Sequence, residues 1–246
     1  MAWAGLWAGV LGLGALAAWE AAAVARVTRR VDPGGRHDHA ATLGTGIGEP
    51  LRVVLLGDSA VDGYGLRAEE SMPRQVAARL ANRTGRRIEV RSTAVSGATT
   101  ADVAAFQVPL LRAAGQIDAV VVGVGVNDAL QRVRADAITA ATREVVTAVR
   151  GLVPDAALAY IPCHDLTEAP GLGPVLRRVL GWRCRRVAQL QRRALDELDV
   201  PVAAADRRGT ARMFGDDGLH PGVRGVEVIS SLVVSALVAT APVGIA

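Results

Sequence analysis

The sequence predicts an α/β domain built on a five-stranded parallel sheet with helices on both faces. Three observations carry that prediction. From residue 51 onward, short β-branched runs alternate with longer stretches of helical periodicity, the pattern of right-handed βαβ units. The runs, such as Val53-Val54-Leu55-Leu56, are apolar without alternation, as suits strands buried on both faces. Finally, the chemistry-bearing residues fall just beyond the ends of these runs, where open parallel sheets bind their ligands.

In chain order, residues 1–19 carry no charged side chain, and Glu20 is the first. A helix of that length spans roughly 28 Å, close to a bilayer core. Trp3, Trp7 and Trp19 lie in it or at its end, as interfacial anchors do. Residues 1–25 are therefore expected to be a membrane anchor, with a cleaved signal as the alternative. Arg26, Arg29 and Arg30 follow the span and favour the cytoplasmic side for the main domain. Residues 26–50 read as a flexible linker, because Asp32-Pro33-Gly34-Gly35 and Gly44-Thr45-Gly46-Ile47-Gly48 break any periodicity. His37 and His39 belong to that linker and bring no further metal ligands with them.

Residues 51–246 form the expected domain. Strands are predicted at 51–56, 88–94, 119–124, 156–161 and 200–204. Helices are predicted at 72–84, 100–114 (disturbed at Pro109), 137–153, 174–198 (weakened at Gly181) and 221–238, the last with Pro at its start. The helix from 174 has an apolar stripe of Leu176, Leu180, Cys184, Val187, Leu190 and Leu195. It also carries seven arginines, read as a solvated face or a surface turned to anionic lipid.

Composition excludes several classes. Hydrophobic residues make up 50% of the chain and aromatics 3%, so the core must be built from Ala, Val and Leu. There is no lysine, and a net charge of +4 does not demand nucleic acid. No RNA-binding aromatic motif or zinc pattern is present. Cys163 and Cys184 are too few for a disulfide framework and read as two buried thiols, or as one pair in an oxidising compartment.

Four places carry chemistry. Ser59 ends the first strand, Gly97 follows the second, Asn127 follows the third, and Asp217 with His220 comes late, just before Pro221. A serine hydroxyl needs a base to take its proton, and His220 is the candidate base. The base needs a third group to fix its tautomer, and Asp217 lies three residues earlier across a Gly-containing turn. The developing oxyanion needs preorganised donors, which the backbone N–H groups of Ser59 and Gly97 and the Asn127 amide offer. Gly63 and Gly65 are expected to form a flexible loop beside Ser59. His164-Asp165 ends the fourth strand and is read as structural or substrate-lining. No dinucleotide fingerprint, phosphate loop or Gly-x-Ser-x-Gly elbow is present.

On Gly57-Asp58-Ser59, Gly97, Asn127-Asp128 and Asp217-Gly218-Leu219-His220-Pro221, the chain resembles the SGNH, or GDSL-type, hydrolase family of esterases and lipases. The resemblance covers roughly residues 51–240. It departs from the family pattern at Ala60, Val126, and Ser92-Thr93. It implies a flavodoxin-like three-layer α/β/α sandwich, no metal and no other cofactor, and a small-molecule or lipid ester as substrate. It also implies catalytic roles for Ser59, Asp217 and His220 and an oxyanion hole of Ser59, Gly97 and Asn127. The expected activity is carboxylic ester hydrolysis through an acyl-enzyme. The alternatives are acyl transfer or deacetylation of glycans or lipids at the same site, or a membrane-tethered binding module with a vestigial site.

Overall fold

The computed structural model describes residues 15, 16, 18, 19, 22, 40–204 and 211–240. The expected membrane segment at 1–25 therefore lies almost wholly outside the described residues, as do residues 26–39. Among the described residues, no helix is long and apolar enough to cross a membrane.

The elements follow the predicted alternation. They are β1 (Ala41–Leu43), β2 (Leu51–Gly57), α1 (Ser59–Asp62), α2 (Met72–Thr84), β3 (Ile88–Ser92), β4 (Ala119–Gly123), α3 (Val126–Leu130), α4 (Ala135–Leu152), β5 (Ala157–Ile161), α5 (Pro174–Asp196) and α6 (Val223–Thr240). The sheet order is β1-β3-β2-β4-β5, with β3, β2, β4 and β5 parallel. β2 thus lies between the strands that lead to Gly97 and Asn127.

Alternate residues of β2 point to opposite faces, and the core divides accordingly. Leu51, Val53 and Leu55 pack with Val76 and Leu80 of α2 and with Val226, Val233 and Leu237 of α6. Val54 and Leu56 pack with Val145 and Val149 of α4 and Leu195 of α5. Every residue of β4 and β5 is buried, which explains why these strands read as unbroken apolar runs.

Three expectations are corrected. The sheet has five strands, but its fifth member is β1, inside the stretch read as a linker, and it pairs antiparallel with β3. Three residues among glycines carry no periodicity, yet they cover the edge that β3 would otherwise expose. The strand expected at 200–204 contributes one bridge, Tyr160 to Val202. Pro201 offers a carbonyl to Tyr160 but has no N–H to extend a ladder. The helix expected at 100–114 is an α-turn (Thr100–Asp102), a π-helical turn (Val103–Gln107) and a 3₁₀ segment (Val108–Ala113) with Pro109 in its first turn. Helix α5 runs unbroken through Gly181, which packs on Thr167 with no room for a Cβ.

Candidate active site

Strands β2, β4 and β5 end in register, with Gly57 beside Gly123 and Gly123 beside Ile161. The polypeptide leaves the sheet here, and the sequence-predicted residues gather at this edge. A Cβ on Gly57 would lie 2.1 Å from the Gly123 carbonyl oxygen, so only glycine lets β2 run this close to β4.

Asp58 turns the chain into α1. Its Oδ1 accepts from the Ala60 N–H at 3.0 Å, and Gly63 closes the turn in the left-handed region at φ 80°. Gly63 is thus the left-handed cap of α1, in the loop expected at Gly63 and Gly65. Ser59 occupies the first position of α1, and its carbonyl accepts from the Tyr64 N–H at 3.0 Å. Asp58 is buried, and burial pushes its carboxyl up to about 6 against hydrogen bonding from Ala60 and the charge of His220.

The late residues form a compact hairpin. The Gly215 N–H donates to the His220 carbonyl at 2.8 Å, the Gly222 N–H donates to the Met213 carbonyl at 2.9 Å, and Gly218 sits in the turn. Asp217 Oδ1 accepts from the Leu219 and His220 N–H groups at 2.8 and 2.9 Å. Its Oδ2 lies 2.5 Å from His220 Nδ1. Burial pushes the Asp217 carboxyl up. The hydrogen bond and charge of His220, with the two backbone donors, outweigh it and hold the carboxyl below its ordinary value.

His220 Nε2 lies 2.9 Å from Ser59 Oγ. An ionised carboxylate only accepts, so Nδ1 carries a proton toward Asp217. In the neutral ring Nε2 is then the acceptor, and the Ser59 hydroxyl donates to it. The Tyr64 ring stacks on the imidazole, with centroids 4.4 Å apart and planes at 30°. Burial, followed by the charge of Asp217, raises the Tyr64 phenol.

The Gly97 turn is tied to the same place. The Val95 N–H donates to the Gly57 carbonyl at 3.0 Å, and Ser96 Oγ donates to Asp62 of α1 at 3.2 Å. Gly97 is exposed at φ 89°, and the space where a Cβ would sit is open. Asn127 Nδ2 donates to the Ala98 carbonyl at 3.0 Å, which leaves its second N–H for another acceptor. Asp128 is buried and accepts from Thr100 N–H and Oγ1 at 3.0 and 3.1 Å, and burial raises its carboxyl.

Sequence reasoning did not single out two buried amides that hold this edge. Gln107 grips the backbone of Gly57 from both sides: its Oε1 accepts from the Gly57 N–H at 2.7 Å, and its Nε2 donates to the Gly57 carbonyl at 2.8 Å. Gln191 of α5 accepts from the Cys163 N–H at 2.8 Å and donates to the Val124 carbonyl at 3.0 Å, joining the ends of β4 and β5. Gln191 is fully buried, whereas Leu190, assigned to the apolar stripe, is only partly buried. The available signal was a glutamine at core spacing, at 107 between Val103 and Leu111 and at 191 between Val187 and Leu195.

His164 faces a small cavity that Asp58, Ala60, Gly125 and Cys163 also line, which makes it a lining residue. Burial pushes its imidazole down to about 4, and the charge of His220 acts in the same direction. Cys163 and Cys184 are both buried free thiols, and burial pushes the Cys163 thiol up.

Residues 55–228 match the family described as GDSL-like lipase/acylhydrolase. Over 196 residues the chain is 29% identical to the GDSL-like esterase Rv1075c of Mycobacterium tuberculosis. The match covers 76% of this chain and 62% of that protein, so the chain spans less than two thirds of its relative's length. Among solved structures, it is similar to Est24, a carbohydrate acetylesterase from Sinorhizobium meliloti. The TM-score there is 0.61 and the identity 17%, covering 77% of this chain and 99% of that one. It is also similar to the psychrotrophic esterase EstA from Pseudoalteromonas sp., with TM-score 0.59 and identity 14%, covering 76% and 97%. At these identities the two structures show a shared fold.

Proposed function

The chain belongs to the GDSL-like lipase/acylhydrolase family, and from that premise we propose that it is a serine esterase working through an acyl-enzyme on Ser59. The observation that carries the reading is the continuous line of contacts from Asp217 through His220 to Ser59 Oγ, at 2.5 and 2.9 Å. A flavodoxin-like three-layer arrangement is the framework the reading implies.

In the first half-reaction, Ser59 Oγ attacks the ester carbonyl carbon and its proton passes to His220 Nε2. Asp217 stabilises the imidazolium that results. The carbonyl oxygen becomes an oxyanion, for which the Ser59 and Gly97 N–H groups and the free Asn127 amide hydrogen are the proposed donors. Collapse breaks the bond to the alcohol, which leaves with the proton from His220. Water then attacks the acyl-enzyme, His220 takes its proton, and collapse releases the carboxylic acid and restores Ser59.

The experiment compares hydrolysis of short- and long-chain chromogenic esters by the full chain and by Ser59→Ala. A kcat fall on the order of 10⁶-fold is expected. Equal rates in the two proteins would sink the role of Ser59. A sugar or alcohol acceptor in the same assay reads out transfer as an acylated acceptor.

A further inference from the structure

Helix α5 presents an outward face that nothing described in this chain neutralises. From Pro174 to Leu195 the helix has no acidic residue. Arg185 pairs with Asp165, and Arg177 donates to the Leu172 carbonyl. Arg178, Arg183, Arg186 and Arg193 form no ion pair among the described residues. At 100° per residue, these four, with Val179 and Trp182, fall within about 140° of one another around the helix. The buried residues Gly181, Cys184, Val187, Gln191 and Leu195 occupy the opposite side.

Two large apolar side chains sit among these arginines. Trp182 is 62% exposed and Val179 43% exposed. A purely solvated face gains nothing from an exposed indole. A tryptophan flanked by arginines is the composition of a surface lying at the head-group level of an anionic bilayer, where the indole enters the interface and the guanidinium groups meet phosphate.

The position of the face is equally specific. Twelve residues separate the end of β5 from the start of α5. The loop before it is joined to the Asp217–His220 turn, because the Gly171 N–H donates to the Gly218 carbonyl at 2.9 Å. A Cβ on Gly218 would lie 2.2 Å from the Gly171 nitrogen, so the two backbones are in direct contact. Arg178, Val179 and Trp182 lie in the first three turns, at the end of α5 that follows this loop, while Gln191, near the other end, meets the ends of β4 and β5.

We propose that the outward face of α5, with Trp182 at its centre, docks this protein on the surface of an anionic lipid bilayer and holds the strand-end edge close to the lipid. The proposal stands on α5 alone and survives if Ser59 proves not to be a nucleophile. A nucleic acid is the other polyanion that arginines attract, but it gives no role to Val179, and the sequence carries no RNA-binding aromatic motif or zinc pattern.

The test uses the full chain with vesicles of pure phosphatidylcholine and of phosphatidylcholine mixed with phosphatidylglycerol. The apolar stretch at residues 1–19 would carry the chain to both alike, so the ratio of the two partition coefficients is the readout. Replacing Arg178 and Arg186 together by Ala is expected to lower that ratio about thirtyfold, from about 1 kcal/mol per removed arginine. Both side chains are exposed, and circular dichroism verifies that the variant keeps its fold. A second measurement uses Trp3→Phe, Trp7→Phe and Trp19→Phe together, which leaves Trp182 as the one tryptophan. Its emission is expected to shift to the blue on phosphatidylglycerol vesicles. An unchanged ratio in the arginine variant, a Trp182 emission that stays at its aqueous maximum, or binding to duplex DNA without preference for the anionic vesicles would each overturn the proposal.

Discussion

Asp217 and His220 meet across three residues of chain, whereas Ser59 reaches His220 across 161. The two halves of the site are accordingly built by different means. The proposed acid–base half is a self-contained turn: its carboxylate takes two backbone N–H groups and one imidazole N–H from its own next three residues. The proposed nucleophile half depends on distant partners. Gln107 clamps Gly57 and Val95 reaches the Gly57 carbonyl. His220, the proposed base, is thus oriented by local geometry, while Ser59 is oriented by the sheet. Damage to each half should therefore look different, lost chemistry in one case and lost chemistry together with lost stability in the other.

Among the groups that orient Ser59 and His220, rather than Ser59 itself, the largest effect is expected at the local half. Asp217→Asn keeps the shape but allows the wrong imidazole tautomer, and kcat should fall about 10⁴-fold. Ester kinetics measure this directly, and a fall below tenfold would break the assignment of Asp217. At the distant half, Gln107→Leu leaves the buried N–H of Gly57 without a partner. Urea unfolding should show a loss of about 1–3 kcal/mol, with a lower kcat as well. A stable variant with normal kcat would show that the clamp does not matter.

Tyr64 bridges the halves, since its ring covers His220 and its N–H reaches the Ser59 carbonyl. An aromatic face favours the imidazolium proposed to form during reaction. Tyr64→Ala should therefore lower kcat about two- to fivefold, while Tyr64→Phe should restore it.

The smallest effect is a pair of opposed slopes in stability against pH. Asp58 is raised from 3.8 to about 6, so its contribution is present at low pH and is lost as pH rises through 6. His164 is lowered from 6.5 to about 4, so its contribution is present above 6.5 and is lost as pH falls through 4. Unfolding measured from pH 4 to 7 should lose the first slope in Asp58→Asn and the second in His164→Gln. Unaltered curves would contradict both placements.

The same contrast explains what was legible in the sequence. The Asp217–His220 turn could be read directly because its chemistry lies within four residues. The apolar run before Ser59 could be read because burial on both faces leaves a mark at each position. Gln107, Gln191 and Tyr64 could not be assigned roles, since what they hold lies 50, 28 and 156 residues away. Tertiary contacts also decided the sheet edges. The three residues of β1 were hidden among glycines, and the apolar run at 200–204 was denied a full ladder by Pro201.

The central claim, that Ser59 is an activated nucleophile, is tested most directly by a fluorophosphonate that transfers its phosphorus to an activated hydroxyl with loss of fluoride. After reaction with the full chain, peptide mass spectrometry should find the phosphonyl group on Ser59, and labelling should fall sharply in His220→Ala. A protein that stays unlabelled, or one labelled at another residue with Ser59 untouched, would contradict the account.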